Sequence, residues 1–155
     1  MSDPFSQIHL ALWAQLESHT GFTDMVKVGN RVKKTDLKQR LMPNDAPRVG
    51  IFPAPGGGVD LFQTSSASRF VQNFSVEMQT NNQWPEDALF PLKWEIVKAM
   101  AKADDQLGMP SLVTKVRITD AAESREDAAG QSAGWAGVLT ISVEFRVANT
   151  TLTGE

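Results

Sequence analysis

The sequence predicts an α+β fold: a mainly antiparallel sheet covered by two helices, with long loops. Three observations carry that prediction. In residues 135–147, Trp135, Gly137, Leu139, Ile141, Val143, Phe145 and Val147 alternate with mostly small or polar residues, the period-2 pattern of a strand with one buried face. A stretch beginning near Pro91 and running to Leu107 is apolar over more than half of a helical circumference, which demands cover on two sides. The first residues, finally, spell out a capped amphipathic helix.

In that helix, Asp3 supplies an N-cap acceptor and Pro4 suits the first helical position. Phe5, Ile8, Leu12 and Leu16 then form one stripe, flanked by His9 and Trp13, with Gly21 placed to end it. Leu10 is apolar on the opposite side. Residues 23–47 read as an extended basic loop, with a turn at Gly29-Asn30 and a short strand at 25–28. Residues 48–52 read as a strand stopped by Pro53, followed by the run Ala54-Pro55-Gly56-Gly57-Gly58 and polar residues to 68, a mobile loop by composition. Alternation returns at 69–80, with Phe70, Phe74, Val76 and Met78 on one face.

The second helix is expected to end at Gly108, with Pro110 beyond. Its apolar arc has one edge of Phe90, Trp94, Val97 and Ala101 and another that includes Leu92, Ile96, Ala99 and Ala103. One side of such a helix covers its own sheet, and the other is expected to meet a neighbouring subunit. A further strand is predicted at 112–119 and a long exposed connection at 120–133. Residues 149–155 read as a polar C-terminal tail of a single domain spanning 1–155.

Composition narrows the chemistry. With 155 residues, 41% hydrophobic and 21% charged, the chain can bury a core without disulfide or metal staples. It has no cysteine and two histidines, which excludes thiolate catalysis and cysteine-ligated metals. His9 and His19 are ten positions apart, about 15 Å along a continuous helix and too far to share a metal, so packing and capping are their expected roles. No apolar run approaches the roughly 20 residues of a membrane span, and the first residues lack a signal-peptide pattern. An intracellular protein without membrane attachment is expected.

Three motifs are weighed against plainer readings. Gly130-Gln131-Ser132-Ala133-Gly134 matches a nucleophile elbow in letters, yet it leads into a strand and no histidine follows it; a hairpin loop is the better reading. Gly56-Gly57-Gly58 lacks the Lys-Ser/Thr of a phosphate loop. Asp104-Asp105 reads as a solvated helix end. No catalytic, cofactor-binding or metal site is therefore expected.

Charge is uneven within a net −3: residues 27–48 carry seven basic and two acidic residues, a local +5 against −8 elsewhere. This strip can be a solvated loop, a contact for an acidic protein surface or a contact for DNA. Arg31, Lys33, Lys34, Lys38 and Arg40 are expected to line a docking surface, with residues 54–68 ordered only by a partner.

The segments Ile8-His9-Leu10-Ala11-Leu12-Trp13, Pro47-Arg48-Val49-Gly50-Ile51, Leu89-Phe90-Pro91-Leu92-Lys93-Trp94-Glu95 and Gly134-Trp135-Ala136-Gly137-Val138-Leu139, with the chain length and element order, resemble the tail terminator (tail completion) proteins of long-tailed bacteriophages. The resemblance spans most of the chain and implies an α+β subunit that forms a hexameric ring on the tail tube. It implies no enzymatic activity and no cofactor. The implied partners are further copies of the chain, the tail tube protein and the head–tail connector, in the virion neck and close to the phage DNA, after assembly in the host cytoplasm. The residue-level reading places the subunit interface at Leu10, Leu92, Ile96, Ala99 and Ala103. The alternatives are another phage neck or tail-tube protein, or a nucleic-acid-binding α+β module using the basic strip.

Overall fold

A computed structural model describes residues 3–33, 47–82, 84–102, 106–126 and 134–154. The expected α+β architecture is present. Helices α1 (Pro4–Glu17) and α2 (Thr20–Met25) precede strands β1 (Arg31–Val32), β2 (Arg48–Asp60) and β3 (Ala67–Gln79). Helix α3 (Leu89–Ala101), strands β4 (Val113–Glu126) and β5 (Gly134–Ala148) and a short helix α4 (Asn149–Thr153) follow. The strands form one sheet in the order β1-β2-β3-β5-β4, antiparallel except for the parallel β1–β2 pair.

Strand β5 lies between β3 and β4, where its alternation demands. Leu139, Ile141, Val143 and Phe145 are buried on the helix-covered face, beside Val76, Phe74 and Phe70 of β3. Each large side chain so buried stabilises by about 1.5–3 kcal/mol. Helices α1 and α3 complete this layer. Ile8, Leu12 and Leu16 of α1 and Leu89, Leu92, Ile96 and Ala99 of α3 are fully buried in the same core. The other sheet face carries Arg69, Ser75, Thr140, Ser142 and Glu144, and no helix covers it among the described residues.

Helix α1 begins as its cap predicts. The Asp3 Oδ1 accepts the Ser6 backbone N–H at 2.9 Å and Oδ2 accepts the Ser6 hydroxyl at 2.9 Å. The Ser6 backbone donor, more than the hydroxyl, holds the Asp3 carboxyl below its ordinary range. The helix stops at Glu17 instead of Gly21, which lies inside α2. The residues expected as a strand at 25–28 close α2 and enter a 3₁₀ turn (Val28–Asn30); the strand comes after them, at β1. Helix α3 starts two residues before Pro91 and ends at Ala101, short of the expected Leu107.

The largest correction concerns residues 54–68. Strand β2 does not stop at Pro53 but continues to Asp60, paired with β3. It runs beside β1 only at Val49 and Gly50, so Pro53 and Pro55 lie where the outer edge needs no donor. A bulge between Ala54 and Gly57 absorbs the extra residues, and the Asn73 side-chain amide fastens it by donating to the Pro55 carbonyl at 3.1 Å. Gly57 has φ +95, and a Cβ there would fall 2.3 Å from the Val71 carbonyl oxygen. On the polar face, Arg69 donates to Glu144 of β5 and to Asp60 of β2 at 3.1 Å, tying three strands together.

The expected polar tail is likewise ordered. Asn149 is buried, accepts from the Ser68 hydroxyl at 2.7 Å and donates to the Thr64 carbonyl at 3.1 Å. These bonds hold α4 against the hairpin turn at 61–66. Strand β4 likewise extends through 120–126, which the sequence suggested as connection.

Gly57 and Gly58 provide a matched test of this hairpin. Gly57→Ala should destabilise by more than about 1 kcal/mol, through both the positive φ and the close carbonyl. Nothing lies within 4 Å of a Cβ built at Gly58, so Gly58→Ala should stay within about 0.5 kcal/mol of the parent. Urea denaturation reads both; equal, negligible effects would return the segment to a mobile loop.

Candidate assembly surfaces

Residues proposed from sequence to meet a neighbour divide sharply by exposure. Leu92, Ile96 and Ala99 are 0% exposed; they are core residues of their own subunit and cannot form a contact between subunits. The error has a physical source. The broad apolar arc of α3 is covered on two sides, by the sheet and by α1 and α2, so most of it needs no second subunit. Ala103 lies outside the described residues. Leu10 is 65% exposed on the outer side of α1, as its helical phase requires.

The apolar surface that α3 does expose is its other edge. Phe90 and Trp94, one turn apart, are 48% and 60% exposed, and Trp84 just before the helix is 55% exposed. The Leu89 and Met78 side chains both lie against Gly137, and Lys93 pairs with Glu123 of β4. Those contacts place this aromatic edge at the end of the sheet where β5 begins.

A second exposed apolar area lies toward the other end of the same strands. Phe5 of α1 meets Phe70 and Phe145 edge-on at centroid distances of 6.0 and 5.4 Å. Val59, paired with Phe70 in register, and Leu61 and Phe62 in the turn are all more than half exposed. Phe62 also has φ +53, unfavourable for a bulky side chain, with its N–H donated to the Ser68 hydroxyl at 2.8 Å. Beside this area is an open hollow of about 220 Å³ lined by Phe5, Ser6, His9, Pro53, Gln72 and Phe74. Of its lining, His9 is stacked on Phe74 at 5.7 Å and hydrogen-bonded through Nε2 to the Ile51 carbonyl at 2.8 Å.

Of the five basic residues expected to line a docking surface, Arg31 and Lys33 are described; Arg31 is largely buried, whereas the Lys33 side chain is 48% exposed. The Arg31 side chain is 8% exposed. It donates through Nη1 to Glu17 at 2.8 Å, through Nε and Nη2 to the Val26 carbonyl, and lies over the Phe22 ring. Lys33 donates to the other Glu17 oxygen and sits over the Trp13 ring. Glu17 thus anchors β1 to α1; its single negative charge offsets one of the two positive charges, and Lys33 stays half exposed. Burial raises its carboxyl pKa, but hydrogen bonds from Lys33 and Arg31 and their charges together outweigh that and hold it below the ordinary 4.5. Lys34, Lys38 and Arg40 lie outside the described residues, as do 130–133 of the elbow-like motif and Asp104-Asp105.

Both histidines are committed to structure. His19, buried between α1 and α2, donates from Nε2 to Glu95 at 2.7 Å and accepts at Nδ1 from Lys102 at 3.1 Å. Lys98 first, then His19, lowers the Glu95 carboxyl through hydrogen bonds. Gly21 permits this approach, because a Cβ there would fall 2.0 Å from the Glu95 carboxylate. Among the described residues no group of three or more His, Cys, Asp or Glu side chains is arranged to hold a metal. No helix of the described residues is long and apolar enough to cross a membrane.

Two substitutions test these assignments. Ile96→Ala should cost about 2–5 kcal/mol in denaturant unfolding; a loss below about 1 kcal/mol would return Ile96 to the surface. Glu17→Gln should cost about 1–2 kcal/mol at pH 7, allowing for screening of a partly exposed carboxylate. Because folding lowers the Glu17 pKa, its stabilisation is complete above about pH 4.5 and is lost as pH falls through the folded value. The two proteins' stabilities should therefore converge in acid, and a gap constant from pH 7 to 3 would refute the assignment. No protein-family model matches the chain, and no curated protein matches it.

Proposed function

We propose that this chain is a structural assembly protein, a tail terminator that forms a ring on a bacteriophage tail tube, ends tube polymerisation and offers the joining surface for the head. The observation that carries the assembly reading is the pair of unlike exposed apolar areas at different ends of one sheet. A ring requires a heterologous contact, in which two different patches of each subunit meet, and exposed apolar patches of this kind mark interaction sites. The resemblance of the four sequence segments then selects the tail terminator from among ring-forming proteins. A hexamer is the ring size that this resemblance implies.

The burial of the Arg31 side chain and its bonds to Glu17 and the Val26 carbonyl argue against a nucleic-acid module that uses Arg31. The commitment of both histidines to structural bonds accords with a protein whose work is contact rather than catalysis.

Deleting the gene from a phage that carries it should leave unjoined heads together with overlong or irregular tails, seen by negative-stain microscopy. Normal tails of regular length would overturn the terminator reading.

A further inference from the structure

We infer that the subunits join head to tail, with the aromatic edge Trp84, Phe90 and Trp94 of one copy seated on the hollow and apolar area of Phe5, Val59 and Phe62 of the next. The inference rests on the ring-forming reading above and names the two faces that reading requires.

Three physical arguments select a second copy as the occupant. The first is placement. Phe5 packs at Phe145 and Leu89 at Gly137, eight residues apart along β5, or roughly 26 Å at the usual strand rise. Surfaces so separated on one rigid sheet cannot cover each other within a subunit, but they can meet between subunits repeated by rotation.

The second is shape and chemistry. The α3 edge is convex, with two large rings projecting one turn apart. The opposite area includes a concavity of about 220 Å³, on the scale of one aromatic side chain. Two convex edges meeting each other would bury little, whereas an edge entering a hollow buries both. An indole buried there needs an acceptor for its N–H. Gln72 lines the hollow and engages only its Nε2 among the described hydrogen bonds, leaving its Oε1 to accept.

The third is area. Aromatic side chains carry about 150–250 Å² each, so each half-exposed set presents on the order of 300 Å². A contact using both buries on the order of 600 Å² of apolar surface. That approaches the apolar share of the smallest stable interfaces, about 1,200 Å² in total and somewhat over half non-polar. Trp is also the residue type most often dominant in such contacts. The strained φ and exposure of Phe62 are two costs borne at one position, as expected where a side chain is held out for a partner.

The test uses the full chain and two surface variants, Trp94→Glu and Val59→Glu, each checked for an unchanged thermal unfolding profile. Mass photometry and light scattering should show wild-type assemblies larger than a dimer, and only monomer for each variant alone, with apparent dissociation constants raised at least tenfold. Mixed, the two variants should form a heterodimer and nothing larger, because each retains one intact and complementary face. If wild type assembles and either variant assembles equally well, this contact is wrong while the ring reading stands. Monomeric variants that stay monomeric when mixed would overturn it, since the two faces then do not meet each other. A wild type monomeric at 100 μM would overturn it too; tail tubes that capture it through Trp94 would identify the tube subunit as the occupant instead. The ring reading fails separately, through the deletion phenotype.

Discussion

The fold depends on the need of β5 to bury one side of a fifteen-residue strand. Its alternation places Leu139, Ile141, Val143 and Phe145 on a single face, which needs a second layer, and in this chain helices supply it. β3 and β4 pair with its two edges. α1 and α3 supply the lid, and the remaining face, rich in hydroxyl and charged groups, meets solvent without penalty. Every other element is positioned relative to this strand.

The helical lid is held in place by polar bonds as well as by packing. Gln15 of α1 donates to the Ala99 carbonyl of α3 at 2.9 Å, His19 links the α1–α2 junction to Glu95, and Glu17 gathers Arg31 and Lys33 beneath α1. Directional bonds of this kind set the angles of helices whose apolar contacts alone would tolerate sliding. They also explain why charges that looked like a free basic surface are partly internal fittings.

Much of this was legible from sequence because it follows from periodicity and local chemistry. The Asp3-Pro4 cap, the stripe of α1, the alternation of β3 and β5 and the exposure of Leu10 all express residue type and spacing. Illegible features depended on neighbours. Pro53, Pro55 and three glycines read as a loop because their composition opposes a central strand; only the sheet order reveals that they occupy an outer edge where a bulge and missing donors are tolerated. Asn149 read as tail because its value lies in Ser68 and Thr64, more than 80 positions earlier. Ile96 and Ala99 read as interface because a broad apolar arc does not disclose whether its cover belongs to the same chain. Phe62 and Trp84 carried no periodic signal at all; only their exposure in the folded sheet singles them out.

The contact of Phe5 with Phe145 has a consequence for synthesis. The first helix closes against the last strand, and β3 acquires its β5 partner only after some seventy further residues have been made. At translation rates of about 5–20 residues per second, the apolar face of β3 and the stripe of α1 spend several seconds without their final cover. A chain with so many distant pairings folds slowly for its size, and its nascent form presents an open strand edge next to exposed phenylalanines. Shielding on the ribosome or by a holding chaperone thus bears on how much protein reaches the native state.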